Sequence, residues 1–238
     1  DAHTDAGSRY RFASVLEEFR LTIQQELDYE SEAQNLITVG RNLREFELIQ
    51  VPQPVSDYST RSVLTMDQVQ GRKITTLSPL QRLDVKGGPL AECLFKAYLK
   101  QVLVDGIFHA DPHPGNVFIT ADGRIALLDL GMVGHVSPTM QEHLLKVLLS
   151  VSEGRGDHAA EAVIQMSEKM EGFNAPEFRR QITQVVAAHR DQGLKQLNIG
   201  ASLMNVGRHA RDNGLFVPSE LTLLGKTLLQ LDEVGRVL

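Results

Sequence analysis

Residues 108–134 read FHADPHPGNVFITADGRIALLDLGMVG, and this segment decides how the chain is interpreted. Residues 109–116 combine two histidines, an aspartate, two prolines, a glycine and an asparagine, a composition that fits neither an ordinary helix nor an apolar core strand. Further on, Asp122-Gly123 separates two apolar, β-rich runs, which is a strong short-range signal for a β-hairpin. The segment therefore predicts a functional loop, followed by a hairpin that closes on Asp129-Leu130-Gly131.

Three polar residues of this segment have the spacing of a phosphoryl-transfer site. Asp111 and Asn116 are five positions apart and follow His109, which matches the H-R-D-x-x-x-x-N catalytic loop of protein kinases. Such a site needs a carboxylate near the attacking hydroxyl and oxygen ligands for magnesium. Asp111 is the candidate catalytic residue, and the hairpin would return Asp129 so that it faces Asn116 across one metal ion. Gly131 would permit the backbone turn that follows.

The sequence before this segment predicts a helix and then a small sheet. Apolar residues recur at helical spacing from about residue 12 to residue 48, which indicates a long amphipathic helix or helix pair. The β-branched stretches 55–59 and 61–66 predict a hairpin with its turn around Ser59-Thr60. Residues 67–71 are then expected to form a linker.

The remaining sequence is predominantly helical. Residues 90–104 are apolar on nearly every face, which is typical of a helix buried inside a lobe. Four further helices are expected to begin at Ser137-Pro138, Asp157, Pro176 and Ser219. The last of these carries one leucine face, formed by Leu221, Leu224, Leu228 and Leu231.

Composition excludes two classes of protein. The net charge is -6 and no block of consecutive Lys or Arg occurs, which argues against electrostatic binding of nucleic acid. No stretch approaches the roughly 18 consecutive apolar residues that a membrane span requires. The chain as given is therefore expected to be a globular, cytoplasmic protein.

Two other interpretations of the loop remain open from the residues alone. His109, Asp111 and His113 alternate and could bind a transition metal, although such a site would need about three ligands of fixed geometry. Alternatively, the Asp-Gly turn and the Asp-Leu-Gly triplet could be ordinary structural features, since each occurs by chance in many chains. The conjunction of a buried helix, the H-x-D-x-x-x-x-N loop, the hairpin and D-x-G in this order favours the phosphoryl-transfer interpretation.

The 108–134 segment closely resembles the catalytic segment of the UbiB/ADCK-type atypical kinases, the AarF group in bacteria. A second stretch, QELDYESEAQNL at residues 25–36, resembles the Glu-x-Asp motif of that family followed by its αC glutamate. Small-molecule kinases of the aminoglycoside and choline type share the H-x-D-x-x-x-x-N loop but lack this second stretch. The resemblance implies an α+β, protein-kinase-like fold with a small-lobe remnant (residues 1–70) and a mostly helical large lobe (residues 71–238).

The resemblance also implies a role for each matching residue. Asp111 corresponds to the catalytic-loop aspartate, Asn116 and Asp129 correspond to the metal ligands, and Glu32 corresponds to the αC glutamate that would pair with a β3 lysine. Two sets of residues would bind the cofactor. The first is the Glu-x-Asp pair, Glu26 and Asp28. The second is the hinge to the adenine, formed by Met66, Asp67, Gln68 and Val69. Periodicity alone would instead assign the acidic residues to the solvated face of a helix.

The sequence departs from the family pattern at its start. No lysine precedes Lys73, so the β3 lysine, a glycine- or alanine-rich phosphate loop and the Lys-x-Gly-Gln helix of the family are all missing. We therefore expect that the chain is a fragment, which the absence of an initial Met favours, or that the protein has lost this part of the nucleotide lobe. Either way, the chain as given is expected to bind nucleotide weakly and to be inactive on its own.

The function implied by the resemblance is that of an ATP- and Mg²⁺-dependent atypical kinase or ATPase. It would support isoprenoid quinone (ubiquinone) biosynthesis or lipid metabolism, with a nucleotide, a lipid or quinone precursor and a membrane surface as partners and no nucleic acid. The full-length protein would be cytoplasmic and peripheral to a membrane. Two alternatives remain: a phosphotransferase of the aminoglycoside or choline type, and a nucleotide-binding scaffold without turnover.

Overall fold

The computed structural model describes residues 28–190 and 199–238. Within these residues the helices are α1 (Tyr29–Asn42), α2 (Pro79–Asp84), α3 (Gly87–Lys100), α4 (Pro138–Ser152), α5 (Gly156–Met166), α6 (Ala175–Arg190), α7 (Ile199–Asp212) and α8 (Ser219–Val237). The strands are β1 (Ile49–Gln50), β2 (Gly71–Lys73), β3 (Ile107–His109), β4 (Val117–Thr120), β5 (Ile125–Leu127), β6 (Val133–His135), β7 (Glu168–Lys169) and β8 (Leu215–Phe216). Helix and sheet are thus combined as the α+β prediction requires.

Helix α1 confirms one part of the expected helix over residues 12–48 and corrects another. Residues 12–27 lie outside the described residues. The helix ends at Asn42, earlier than expected, and the chain then turns, with the Ile49 N–H donating to the Phe46 carbonyl (2.8 Å). The early end has a physical reason, because residues 49–50 pair as a strand with the second arm of the hairpin at Asp122-Gly123.

The predicted hairpin at Asp122-Gly123 is confirmed and forms the centre of a four-stranded sheet. Strands β4 and β5 pair antiparallel, β1 adds to β5 in parallel, and β2 adds to β4 in the order β1-β5-β4-β2. Gly123 has a φ of +83°, a left-handed conformation that glycine adopts without steric cost. The hairpin therefore brings Asn116, just before β4, close to Asp129, just after β5.

The predicted hairpin over residues 55–66 is only partly correct. Its arms pair through isolated antiparallel bridges, Pro54 with Met66 and Thr60 with Val63, and residues 56–58 form a turn of 3₁₀ helix. Ser59 explains the irregularity, because its hydroxyl accepts a hydrogen bond from the Thr65 N–H (3.1 Å) in place of a ladder partner.

The expected linker over residues 67–71 runs directly into strand β2. Gly71 begins this strand, and a Cβ at this position would lie 2.6 Å from the Ile119 carbonyl oxygen. Glycine therefore allows the two backbones to pair at this point.

The expected helix over residues 90–104 is confirmed as α3, which continues as a π-helical turn over Gln101–Asp105. Leu90, Leu94 and Ala97 are buried, whereas Val104 in the π-helical turn is exposed, so the segment is not buried on every face. Gly106 ends the turn with a φ of +68°. The chain then enters strand β3 and the catalytic loop.

The helices predicted from Ser137, Asp157, Pro176 and Ser219 are all present, as α4, α5, α6 and α8. Helices α2 and α7 were not expected. The Ser137 side chain caps α4 by accepting from the Met140 N–H (3.3 Å), as its position predicted. Within the described residues, no helix is long and apolar enough to cross a membrane.

Helix α8 links two parts of the hydrophobic core. Its residues Leu231 and Val234 pack with α1, α3 and the four-stranded sheet. About two turns upstream, Leu224 packs with Phe108 and Ala110 at the start of the loop. The leucine face expected from the sequence is therefore buried against both the sheet and the loop.

Candidate active site

Strands β3 and β6 bring together the two ends of the catalytic segment. They pair antiparallel, with Phe108 opposite Gly134, and the Ala110 N–H donates to the Met132 carbonyl (3.0 Å). A Cβ at Gly134 would overlap the Phe108 ring, so glycine is required for this fit. As a result, Asp111, which follows β3, lies close to the Asp-Leu-Gly triplet, which precedes β6.

The candidate metal ligands Asn116 and Asp129 are in direct contact. The Asn116 Nδ2 donates to the Asp129 Oδ2 at 3.1 Å, and the Leu128 N–H donates to the Asn116 carbonyl at 3.0 Å. This leaves an amide oxygen and a carboxylate side by side, the oxygen donors that Mg²⁺ prefers. This donor set would fit a magnesium ion.

Asp129 has an unusual backbone conformation. Its φ is +59°, and it is the one residue other than glycine with a positive φ in the part of the chain that the structure describes. Such conformations cost free energy and cluster at functional sites. Gly131 was expected to permit the turn, but the left-handed residue is Asp129 itself, and a Cβ at Gly131 would lie 3.4 Å from the Asp129 Oδ1.

Asp111 contacts helix α8. Its carboxylate accepts a short hydrogen bond from Gln230 Nε2, and Lys226 Nζ lies 3.7 Å from the same oxygen. The side chain remains 35% exposed, so it is accessible to a substrate. Sequence reasoning missed both α8 residues, because polar positions on an amphipathic helix are normally assigned to solvent.

His109 is a buried support of the loop. Its backbone N–H donates to the Gln101 Oε1 at 3.0 Å, and both residues are fully buried. Burial lowers the pKa of His109 to about 4, against the opposing influence of the Met132 carbonyl and the nearby carboxylates of Asp111 and Asp129. The imidazole is therefore neutral at physiological pH.

The transition-metal alternative finds no support in the arrangement of the side chains. His109 is buried, whereas His113 is exposed and its Nδ1 accepts a hydrogen bond from the Gly115 N–H (3.1 Å). Across residues 28–190 and 199–238, no cluster of three or more His, Cys, Asp or Glu side chains suited to a metal ion is present.

Helix α1 meets the other end of the catalytic segment. Glu32 is 8% exposed, and Asn35, three residues later on the same face, donates to the Leu130 carbonyl at 2.8 Å. The helix with the candidate αC glutamate thus packs directly beside the Asp-Leu-Gly triplet. Asp28 precedes this helix and accepts from the Ser31 hydroxyl (3.2 Å), while Glu26 lies outside the described residues.

The expected adenine hinge is an extended segment beside the sheet. Met66 is half-buried against the core, whereas Asp67 and Gln68 are exposed. The Asp67 N–H donates to the Gln53 carbonyl (2.9 Å), so this group is already used within the protein. Adenine recognition through Gln68 and Val69 stays a prediction.

Two family models identify the class of protein, and a solved structure has a similar fold. The erythromycin complex of Rv3197 from Mycobacterium tuberculosis matches 94% of this chain and 60% of that chain with a TM-score of 0.55 at 21% identity, which shows a common kinase-like fold. The ABC1 atypical kinase-like domain matches residues 3–163, and the UbiB helical domain matches residues 182–238. The chain belongs to the ABC1/UbiB family of atypical kinase-like proteins.

Several relatives resemble the chain over most of its length. An uncharacterized protein of Synechocystis, slr0889, is 31% identical over 98% of this chain, and the "Probable protein kinase UbiB" of Marinobacter nauticus is 32% identical over 98% of it. The chloroplastic Protein ACTIVITY OF BC1 COMPLEX KINASE 8 of Arabidopsis thaliana is 36% identical over 67%. The chain spans 60%, 43% and 21% of the lengths of these three proteins, respectively.

Proposed function

We propose that this chain is part of an ATP- and magnesium-dependent kinase or ATPase of the UbiB/ADCK type. The observation that carries the proposal is the contact between Asn116 and Asp129 beside the loop that presents Asp111. A catalytic-loop aspartate next to two oxygen donors for magnesium is what phosphoryl transfer requires of a kinase-like fold. The family membership of the chain supports the same reaction class.

Each residue has a defined role in this proposal. Asn116 and Asp129 would hold Mg²⁺, which when bound neutralises charge on the phosphates. Asp111 accepts the proton of the attacking hydroxyl or orients a water molecule for attack on the γ-phosphate. The Lys226 ammonium lies 3.7 Å from this carboxylate. This contact and the hydrogen bond from Gln230 hold the Asp111 carboxylate in its orientation.

The remaining sequence-predicted residues would bind and position the nucleotide. Glu32 would pair with a lysine on an upstream strand, and its burial beside the Asp-Leu-Gly triplet supports an internal role. Glu26 and Asp28 would act near the phosphates, and the backbone of residues 66–69 would recognise adenine. These roles in nucleotide binding rest on the resemblance to the family.

We also propose that the reaction supports isoprenoid quinone biosynthesis or lipid metabolism at a membrane surface. This assignment rests on the resemblance to UbiB-type proteins, and relatives of the chain carry the name UbiB. A peripheral location would bring the site close to a lipid-linked acceptor.

The test is ATP hydrolysis by the full-length protein, with and without magnesium and with and without vesicles of mixed neutral and anionic phospholipid. We expect magnesium-dependent turnover that is lost in Asp129→Asn, because the metal loses its charged ligand. Asp122→Asn, an exposed aspartate of the hairpin turn, is the matched control and should retain activity. Stimulation by vesicles would support the membrane role.

Other outcomes decide between the alternatives. Equal rates in wild type and Asp129→Asn would contradict the proposed metal site. Tight ATP binding without turnover in either protein would leave a nucleotide-binding scaffold. Phosphorylation of a soluble alcohol, such as an aminoglycoside or choline, would instead indicate a small-molecule phosphotransferase.

A further inference from the structure

The two family regions of the chain meet at the catalytic aspartate. Asp111 lies in the ABC1 kinase-like region, whereas Lys226 and Gln230 belong to the region that matches the UbiB helical domain. Gln230 Nε2 donates to Asp111 Oδ1, and Lys226 Nζ lies 3.7 Å from the same oxygen. One turn of α8 thus faces the group proposed to act on the substrate.

The contact is fixed by a buried hydrogen bond next to it. The Thr227 hydroxyl is buried and donates to the Ala110 carbonyl at 2.9 Å, one residue before Asp111. Leu224 packs on Ala110 and Phe108 in the same region. The position of Lys226 relative to the catalytic loop is therefore set by the fold, even though its own side chain reaches into solvent.

The loop around Asp111 has no lysine or arginine of its own, and Lys226 supplies a positive charge beside it. The positions that follow Asp111 are Pro112, His113 and Pro114, so the loop itself brings no lysine or arginine before Asn116. Within residues 28–190 and 199–238, Lys226 is the cationic side chain that pairs with Asp111. Phosphoryl transfer places negative charge on the oxygens of the transferred group, and cations near those oxygens stabilise it.

Lys226 is available to a second anion. Its side chain is 53% exposed, and the direct hydrogen bond that orients the Asp111 carboxylate comes from Gln230 instead. An ammonium group carries three donors, so one contact with Asp111 leaves others for phosphate oxygens.

We propose that Lys226 binds the terminal phosphate of the nucleotide and that Gln230 positions Asp111 beside it, so that helix α8 completes the catalytic loop. This inference rests on the proposed function, because it places the γ-phosphate of ATP next to Asp111. The helical region is then part of the active site as well as of the scaffold.

The experiment compares ATP and ADP binding by calorimetry in the full-length protein with magnesium present. Lys226→Met should weaken ATP binding by about tenfold, the size expected for one charge-assisted hydrogen bond, and change ADP binding less than about twofold. Lys226→Arg should restore most of the ATP affinity, since guanidinium also binds phosphate. Equal losses for ATP and ADP, or no loss for either, would overturn the assignment.

Lys96→Met is the matched control. Lys96 also pairs with one carboxylate, that of Glu92 at 2.6 Å, and is 65% exposed, but it lies on the outer face of α3. Its substitution should leave the ATP-to-ADP affinity ratio unchanged. Thermal unfolding of all variants separates loss of binding from loss of fold, and Lys226→Gln replaces Lys226→Met if the latter does not fold.

Turnover adds a second readout that separates the two α8 residues. Lys226→Met should raise KM for ATP and lower kcat, whereas Gln230→Leu should lower kcat with KM nearly unchanged, because Gln230 acts through Asp111. If the wild type shows no turnover, the proposed function fails, but the ATP-to-ADP ratio still tests Lys226. If turnover is normal in both variants, the role of α8 is contradicted while the proposed function stands.

Discussion

The base and the tip of the catalytic segment differ in burial. The base, defined as strands β3 and β6 with Ala110, has a fully buried Phe108 and His109 and regular backbone pairing. The tip, defined as residues 111–116 with Asp129, carries partly exposed polar side chains and a left-handed aspartate. The difference predicts that the base determines stability, whereas the proposed chemistry depends on the tip. On this division, changes at the base should lower the free energy of unfolding more than changes at the tip.

Acid should destabilise the protein through His109 at the base. Its pKa is about 4 when folded and near 6.5 when unfolded, so between these values the unfolded chain binds a proton that the folded chain does not. The free energy of unfolding should therefore fall by roughly 3 kcal/mol as pH decreases from 6.5 to 4, and this contribution should then level off. Denaturant titrations across this pH range measure it.

The His109→Leu variant isolates this contribution. It should lose this part of the pH dependence, whereas His158→Gln, which replaces a largely exposed imidazole, should retain it. An unchanged pH profile in His109→Leu would show that other groups are responsible.

Gly134→Ala should destabilise the base by about 2 to 3 kcal/mol, because the added methyl group overlaps the buried Phe108 ring and overpacks the core. Urea unfolding measures the change. Gly88→Ala is the control, since a Cβ there would meet no neighbouring atom within 4 Å. Equal stabilities of the two variants would mean that β3 and β6 can move apart to accommodate the added methyl group at little cost in free energy.

Thr227→Val should cost about 1 to 2 kcal/mol, because it leaves the buried Ala110 carbonyl without its donor on α8. The exposed Thr222 on the same helix supplies the control Thr222→Val. The measurement is again the free energy of unfolding. A loss of activity without a loss of stability in Thr227→Val would mean that this contact serves the chemistry of the tip and not the stability of the base.

At the tip, Asp129→Ala should be less stable than Asp129→Asn by about 1 kcal/mol, because asparagine tolerates a positive φ better than alanine does. Both should lose magnesium-dependent turnover. The same pair of substitutions at the exposed Asp57, which lies in a 3₁₀ turn, should show no such difference in stability. A similar difference at both positions would remove the evidence for backbone strain at Asp129.

Local spacing made the catalytic segment predictable, because the loop, the hairpin and Asp129 all lie within 27 consecutive residues. The Asn116–Asp129 contact follows directly from the Asp-Gly turn between them. The α8 contacts could not be predicted, since Gln230 is 119 residues from Asp111 and its helical position resembles an ordinary solvated one. The irregularity of the predicted 55–66 hairpin could not be predicted, because a single Ser59 hydroxyl replaces a strand partner.

The pairing of β3 with β6 also has a consequence for how such proteins diverge. Since the polar residues of the tip contribute little to the packing of the base, substitutions there would remove the proposed activity while the folded scaffold is inherited intact. We expect lineages of this family to include inactive members whose thermal stability equals that of active ones. Unfolding temperatures of relatives with and without an aspartate at the position of Asp129 would show whether activity and architecture are separately inherited.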